Sequence, residues 1–179
     1  MDRQVVLLRG INLGPNRRIA MPQLRELLAT EGFEDVRTYV QSGNIVLSSD
    51  LPLDVVQRKC EERIAHHFGF DVPVIVRTRA ELEQVVARNP LADVADNPKR
   101  YQVTFLSDEL DGDVLRQLQA RATESERLVA IGRELYAWHP EGVARSKLWA
   151  RLAGTGLGVT ATARNWTTVT TLLDMAREG

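Results

Sequence analysis

Only one cysteine, Cys60, occurs in the 179 residues, which excludes an internal disulfide framework. It falls on the stripe Val56, Cys60, Ile64 at helical spacing, so it reads as a small buried hydrophobe and not as a nucleophile. No apolar run approaches the ~20 residues of a membrane-spanning helix, and the start MDRQVVLLRG lacks the apolar segment of a signal peptide. A cytoplasmic protein with no membrane partner is therefore expected. Acidic residues are missing from two long stretches. Arg3 to Arg25 holds five arginines and Gly142 to Leu173 four bases (Arg145, Lys147, Arg151, Arg164), with no Asp or Glu in either. An even scatter of the acids would put roughly 7 there.

The formal net charge of −1 is thus a cancellation: 14 of the 23 bases and all 24 acids lie outside those stretches. A nucleic-acid binder normally carries an overall basic excess, so any such reading rests on a local patch. A hydrophobic content of 44% with 26% charged residues excludes disordered and fibrous classes, and the length suits one medium domain or two small halves.

Val5 to Leu8 reads as a strand entering a Gly, Asn and Pro-rich loop, Gly10 to Asn16. Pro22, then Leu24, Leu27 and Leu28, with Gly32 as a stop, predict a helix over 22–31. Val36 to Ser48 predicts two strands turning at Ser42-Gly43, where glycine is free to take positive φ. A helix over 53–68 and a strand over 72–77 complete the order βαββαβ. After a helical connector near 80–88, the order repeats. It comprises strand 101–106, a helix on Val114, Leu115 and Leu118, strands 128–131 and 135–138 around Gly132-Arg133, helix 143–153 and strand 159–163. Val169, Leu172, Leu173 and Ala176 add a C-terminal helix. The reading is α+β: two tandem split-βαβ halves, 1–78 and 100–179, joined by a helical connector and loop over 79–99, each an antiparallel sheet with helices on one face.

That topology puts the loop Arg9 to Asn16 beside Gln41 to Asn44, and Arg145, Ser146 and Lys147 near Arg164, Asn165 and Trp166. Each basic cluster precedes or opens a predicted helix, where cations oppose the macrodipole unless an anion sits among them. The plain alternative is solvated surface, or pairing with acids elsewhere; Asn165 also serves as a simple N-cap. His66 and His67 point about 100° apart on a helix and make no joint metal site. His139 precedes Pro140 at a strand end and reads as a loop residue. Gly154, Gly156 and Gly158 lie between helix and strand, the reverse of a dinucleotide fingerprint. Glu61, Glu62, Asp108, Glu109, Asp111 and Asp113 read as solvated faces and caps. Ser42 and Ser146 have no His at a recognisable motif spacing. Trp138, Trp149 and Trp166 suit packing more than base stacking.

The runs LLRGINLG (7–14), RTYVQSGNIV (37–46), Asn89-Pro90, VTFLS (103–107), PEGVARSKL (140–148) and TARNWTTV (162–169) resemble, in order, the signature blocks of the bacterial domain-of-unknown-function family 1697. The resemblance implies two ferredoxin-like halves and no established activity. It implies signature positions at Arg9, Gly10, Asn12, Gly14, Gln41, Ser42, Gly43 and Asn44, and at Arg145, Ser146, Lys147, Arg164, Asn165, Trp166 and Thr168. Pro15 stands where the family often has glycine, which implies a stiffer loop.

The leading expectation is a site for a phosphate-bearing small ligand. Arg9, Arg145, Lys147 and Arg164 would supply charge, and Asn12, Gln41, Asn44 and Asn165 directional hydrogen bonds. An RNA or single-strand binding module is the alternative, weakened because Tyr39 is the only aromatic on the first hairpin strands. A protein-interaction module is another. No catalytic constellation, metal set or cofactor motif is identified.

Overall fold

The computed structural model describes residues 1–178. β1 (Asp2–Leu8), α1 (Met21–Thr30), β2 (Glu34–Tyr39), β3 (Asn44–Ser49), α2 (Leu53–Phe68) and β4 (Val74–Thr78) come first, then α3 (Arg79–Arg88). β5 (Tyr101–Leu106), α4 (Gly112–Arg121), β6 (Arg127–Ile131), β7 (Glu134–Trp138), α5 (Lys147–Ala153) and β8 (Ala161–Asn165) repeat the order, and α6 (Trp166–Arg177) closes it. The two sheets are ordered β2-β3-β1-β4 and β6-β7-β5-β8, with every neighbouring pair antiparallel. This is the ferredoxin-like arrangement, formed twice. By internal contacts the chain divides into Met1–Gln84 with the stretch from Thr171, and Val85–Thr170.

In the first unit, α2 turns Val56, Cys60 and Ile64 inward at one-turn spacing, and α1 does the same with Met21, Leu24, Leu27 and Leu28. Both stripes meet Val6, Leu8, Ile45, Leu47, Val74 and Val76 on one face of the sheet. Each fully buried aliphatic side chain contributes about 1.5–3 kcal/mol, so these stripes dominate the helices' own weak propensity. Burial pushes the Cys60 thiol up to about 12, so it stays a protonated hydrophobe at neutral pH. Gly69 ends α2 in the left-handed region at φ 82°. Val5, Leu7, Val46 and Ile75, of the opposite strand phase, are buried as well, which is why these strands read as continuous apolar runs.

In the second unit, Leu106, Leu135, Ala137 and Ala161 pack with Leu118 of α4 and with Leu148 and Leu152 of α5. Two boundaries here differ from the sequence expectation. Helix α5 begins at Lys147, not near 143, because Gly142 at φ 82° turns the chain and Ser146 caps the helix with its own hydroxyl. Arg145 therefore lies in the preceding loop and not in a first helical turn. Strand β8 runs to Asn165, since Gly156 and Gly158 at positive φ use up the residues before it and Gln102 pairs with Asn165. Arg164 and Asn165 are thus strand residues and not part of a loop. Among the described residues no helix is long and apolar enough to cross a membrane.

Candidate functional site

In the second unit, the segment before β6 folds back on itself. Thr123 N–H donates to Glu126 Oε1 at 3.1 Å, and Glu126 N–H donates to Thr123 Oγ1 at 3.3 Å. This reciprocal pair fixes the glutamate and leaves Oε2 to face the loop that follows β7. His139, the first residue of that loop, is held by its N–H on Arg100 O at 3.0 Å, and its ring is fully buried with Nδ1 2.5 Å from Glu126 Oε2. The turn closes with Gly142 N–H on His139 O at 2.9 Å. Ser146 then accepts the Trp149 N–H at 3.0 Å as helix cap and donates its own hydroxyl to Glu126 Oε2 at 2.6 Å. Trp149 meets the His139 ring edge-on, with centroids 5.9 Å apart.

Burial alone raises the Glu126 carboxyl. The hydrogen bonds from Ser146, His139 and Thr123 N–H, with the attraction of His139, outweigh it and hold the group below the usual carboxylate range. The cluster has a serine, a histidine and an acid, yet not the order that activates a nucleophile. An acyl-transfer triad uses the two ring nitrogens separately, one toward serine and one toward the acid. Here Nδ1 faces both, with Ser146 Oγ at 3.3 Å, and His139 Nε2 is buried without a hydrogen-bond partner among the described residues. A carboxylate stabilised as the anion is also a poor base for the serine. The group is a polar fastener joining β6, β7 and α5.

Beside this fastener opens a cleft of about 490 Å³, lined by Glu126 and Ser146 themselves and by Thr123, Glu141, Gly142 and Arg145 among others. Glu141 and Arg145 are both exposed. Among the described residues neither side chain has a hydrogen-bond or ion-pair partner, the other included.

The other sequence-selected residues are described unit by unit. At the loop end of the first unit, Asn12 staples the chain. Its Nδ2 donates to Ile19 O (2.9 Å) and Gln41 O (2.6 Å), and its Oδ1 accepts Ile19 N–H (2.9 Å). The expected adjacency of the two loops is present. Arg9 N–H donates to Pro73 O at 3.0 Å, while the Gly10 and Gly14 carbonyls accept from Arg17 Nε and Arg18 Nη1. Arg17 also reaches Asp71 O at 2.7 Å and lies over the Phe70 ring. Gln41 and Ser42 are exposed; Gly43 and Asn44 are buried, with Asn44 Nδ2 on Tyr39 O and Ser42 Oγ.

In the second unit, Arg164 is only 8% exposed, and its Nη1 donates to Thr162 Oγ1 and Ala163 O. Burial lowers its pKa to about 10. Asn165 Oδ1 accepts the Thr168 N–H at 2.9 Å, the cap reading, and Trp166 stacks on Tyr101. Lys147 is exposed as the first residue of α5 and is not part of the cleft lining. Arg145 and Ser146 are the two selected residues that share the cleft. Sequence reasoning missed Glu126 and assigned His139 to a plain loop. The one available signal was Thr123-x-x-Glu126, a reciprocal-capping pattern.

The profile of the family described as "Protein of unknown function (DUF1697)" matches residues 1–136. Among solved structures, a conserved bacterial protein, SP0830 from Streptococcus pneumoniae, is similar over 98% of this chain and 99% of its own, with a TM-score of 0.79 and 24% identity. At that identity the likeness shows the fold alone. No curated protein matches the chain.

Proposed function

The chain belongs to the DUF1697 family of proteins of unknown function, and from that premise we propose that it binds a small phosphate-bearing or otherwise anionic ligand in the cleft of its second unit. One observation carries the reading: Arg145 and Ser146, chosen from sequence, line the same cleft, and the Arg145 guanidinium there has no protein partner among the described residues. A planar guanidinium offers two parallel N–H donors to a phosphate or carboxylate, and such charge-assisted bonds are the strong ones. Glu126 lines the cleft too, but its oxygens already take bonds from Thr123, Ser146 and His139. A small ligand is favoured over a nucleic-acid strand because the tryptophans are engaged: Trp166 on Tyr101, Trp149 on His139, Trp138 buried. We read the chain as bacterial and cytoplasmic, from the similarity to a conserved bacterial protein and the single-cysteine composition, which is not that of a disulfide-stapled secreted domain.

Thermal unfolding against a panel of phosphate, nucleotides and sugar phosphates tests the reading. A ligand at ~100 times its Kd adds about 2.7 kcal/mol of stability, and the shift fades as salt rises. Arg145→Ala abolishes most of that shift without altering the unliganded Tm, since the side chain is exposed. A flat panel with both proteins overturns the assignment.

A second reading has its own observation. Leu13 is 84% and Val40 52% exposed, and Asn12 to Gln41 bonding ties their loops together, a combination that suits a protein-interaction surface.

A further inference from the structure

We infer that the ligand of this cleft is a small zwitterion, carrying a primary ammonium group beside its phosphate or carboxylate. The inference rests on the anion-binding reading of the same site and goes beyond it. Glu141 and Arg145 are opposite charges four residues apart in one loop, both exposed, both lining one cleft. Oppositely charged side chains this close in sequence have every opportunity to pair, yet they do not pair with each other or with any described residue. The turn at Gly142, φ 82°, and the Gly142 N–H to His139 O bond set the loop between them. The Ser146 cap and its bond to Glu126 anchor the far side.

An ion holding one charge alone gains at one residue and loses at the other. A simple anion against Arg145 shares the cleft with the Glu141 carboxylate and the ionised Glu126; a simple cation against Glu141 meets the guanidinium. A molecule with both charges satisfies both residues. The Glu126 carboxylate is taken up by its own three donors, which leaves Glu141 as the acid available to an ammonium group. Thr123, also in the lining, is engaged likewise, its hydroxyl accepting the Glu126 N–H and lying 3.3 Å from Ser125 Oγ.

Titration calorimetry at low salt with O-phosphoethanolamine, glycine, methyl phosphate and ethylamine tests this. Of the two zwitterions, the tighter one identifies the anionic group, phosphate or carboxylate. In the wild-type protein the better zwitterion binds at least tenfold more tightly than methyl phosphate or ethylamine. Glu141→Gln removes that preference and leaves methyl phosphate binding equal or stronger, whereas Arg145→Gln removes binding of all three anion-bearing probes. Circular dichroism confirms that the exposed substitutions leave the fold intact. If methyl phosphate binds as well as the better zwitterion, and Glu141→Gln changes neither, the zwitterion inference is wrong while the anion site stands. If no probe binds, both are wrong.

Discussion

Glu126 shows how much one side chain organises. It is nearly buried, and a buried carboxylate is tolerable only when its oxygens are filled; Thr123, Ser146 and His139 fill them. Glu126→Gln keeps the shape but loses the charge-assisted bonds and should cost about 1–3 kcal/mol of stability at pH 7, measured by urea unfolding. The sign with pH follows from the lowered pKa. The ionised group's contribution is complete above its unfolded-state pKa of about 4.3 and is lost as pH falls through the lower folded-state value. The deficit of Glu126→Gln therefore narrows in that acid range; a deficit constant with pH would mean that the charge does not matter. Thr123-x-x-Glu126 is a local signal for the glutamate alone, and none announces its partners. Glu126, His139 and Ser146 lie in separate segments, and only the antiparallel pairing of β6 with β7 brings the glutamate and histidine into register. Arg164 shows the converse, since its basic neighbourhood suggested a ligand group whereas strand phase buries it.

Among the elements, those with strong periodicity were legible. The helix over 53–68 and the strand over 101–106 have the bounds expected from their apolar pattern. Boundaries set by hydrogen bonds were less so: Ala144 fits the spacing of α5, but the Gly142 turn and the Ser146 cap exclude it. The hairpin turn between β2 and β3 was legible from Ser42-Gly43, and the reason is steric. Gly43 sits at φ 83° with Leu8 Cβ only 2.6 Å from where a methyl would be. Val40, a branched residue at φ 50°, is strained in the same turn. Gly43→Ala should destabilise by more than ~1 kcal/mol, and Val40→Asn should stabilise by about 1 kcal/mol, because asparagine tolerates the left-handed region. Paired chemical denaturation curves check both signs, and equal midpoints for the two variants would refute the strain account.

At the scale of the whole molecule, one topology is used twice with different consequences. In the first unit, the loop after the first strand is acid-free and stapled by Asn12; in the second, the equivalent loop carries Asp108, Glu109 and Asp111. The arginines of the acid-free stretches therefore do different work within each unit. Arg17 holds its own loop and the segment at Phe70 and Asp71, Arg18 holds its own loop, Arg164 is buried in a strand, and Arg145 lines the cleft. The composition showed where charge was segregated, but not which arginines the fold would consume in holding itself together.

The cleft as ligand seat is tested most directly by following backbone amide resonances of the isotope-labelled protein during titration with O-phosphoethanolamine. The account predicts saturable shifts at Thr123, Glu126 and the segment from Glu141 to Ser146, absent in Arg145→Ala. Shifts centred instead on the loop from Arg9 to Arg18, or none at concentrations well above a millimolar, would contradict it.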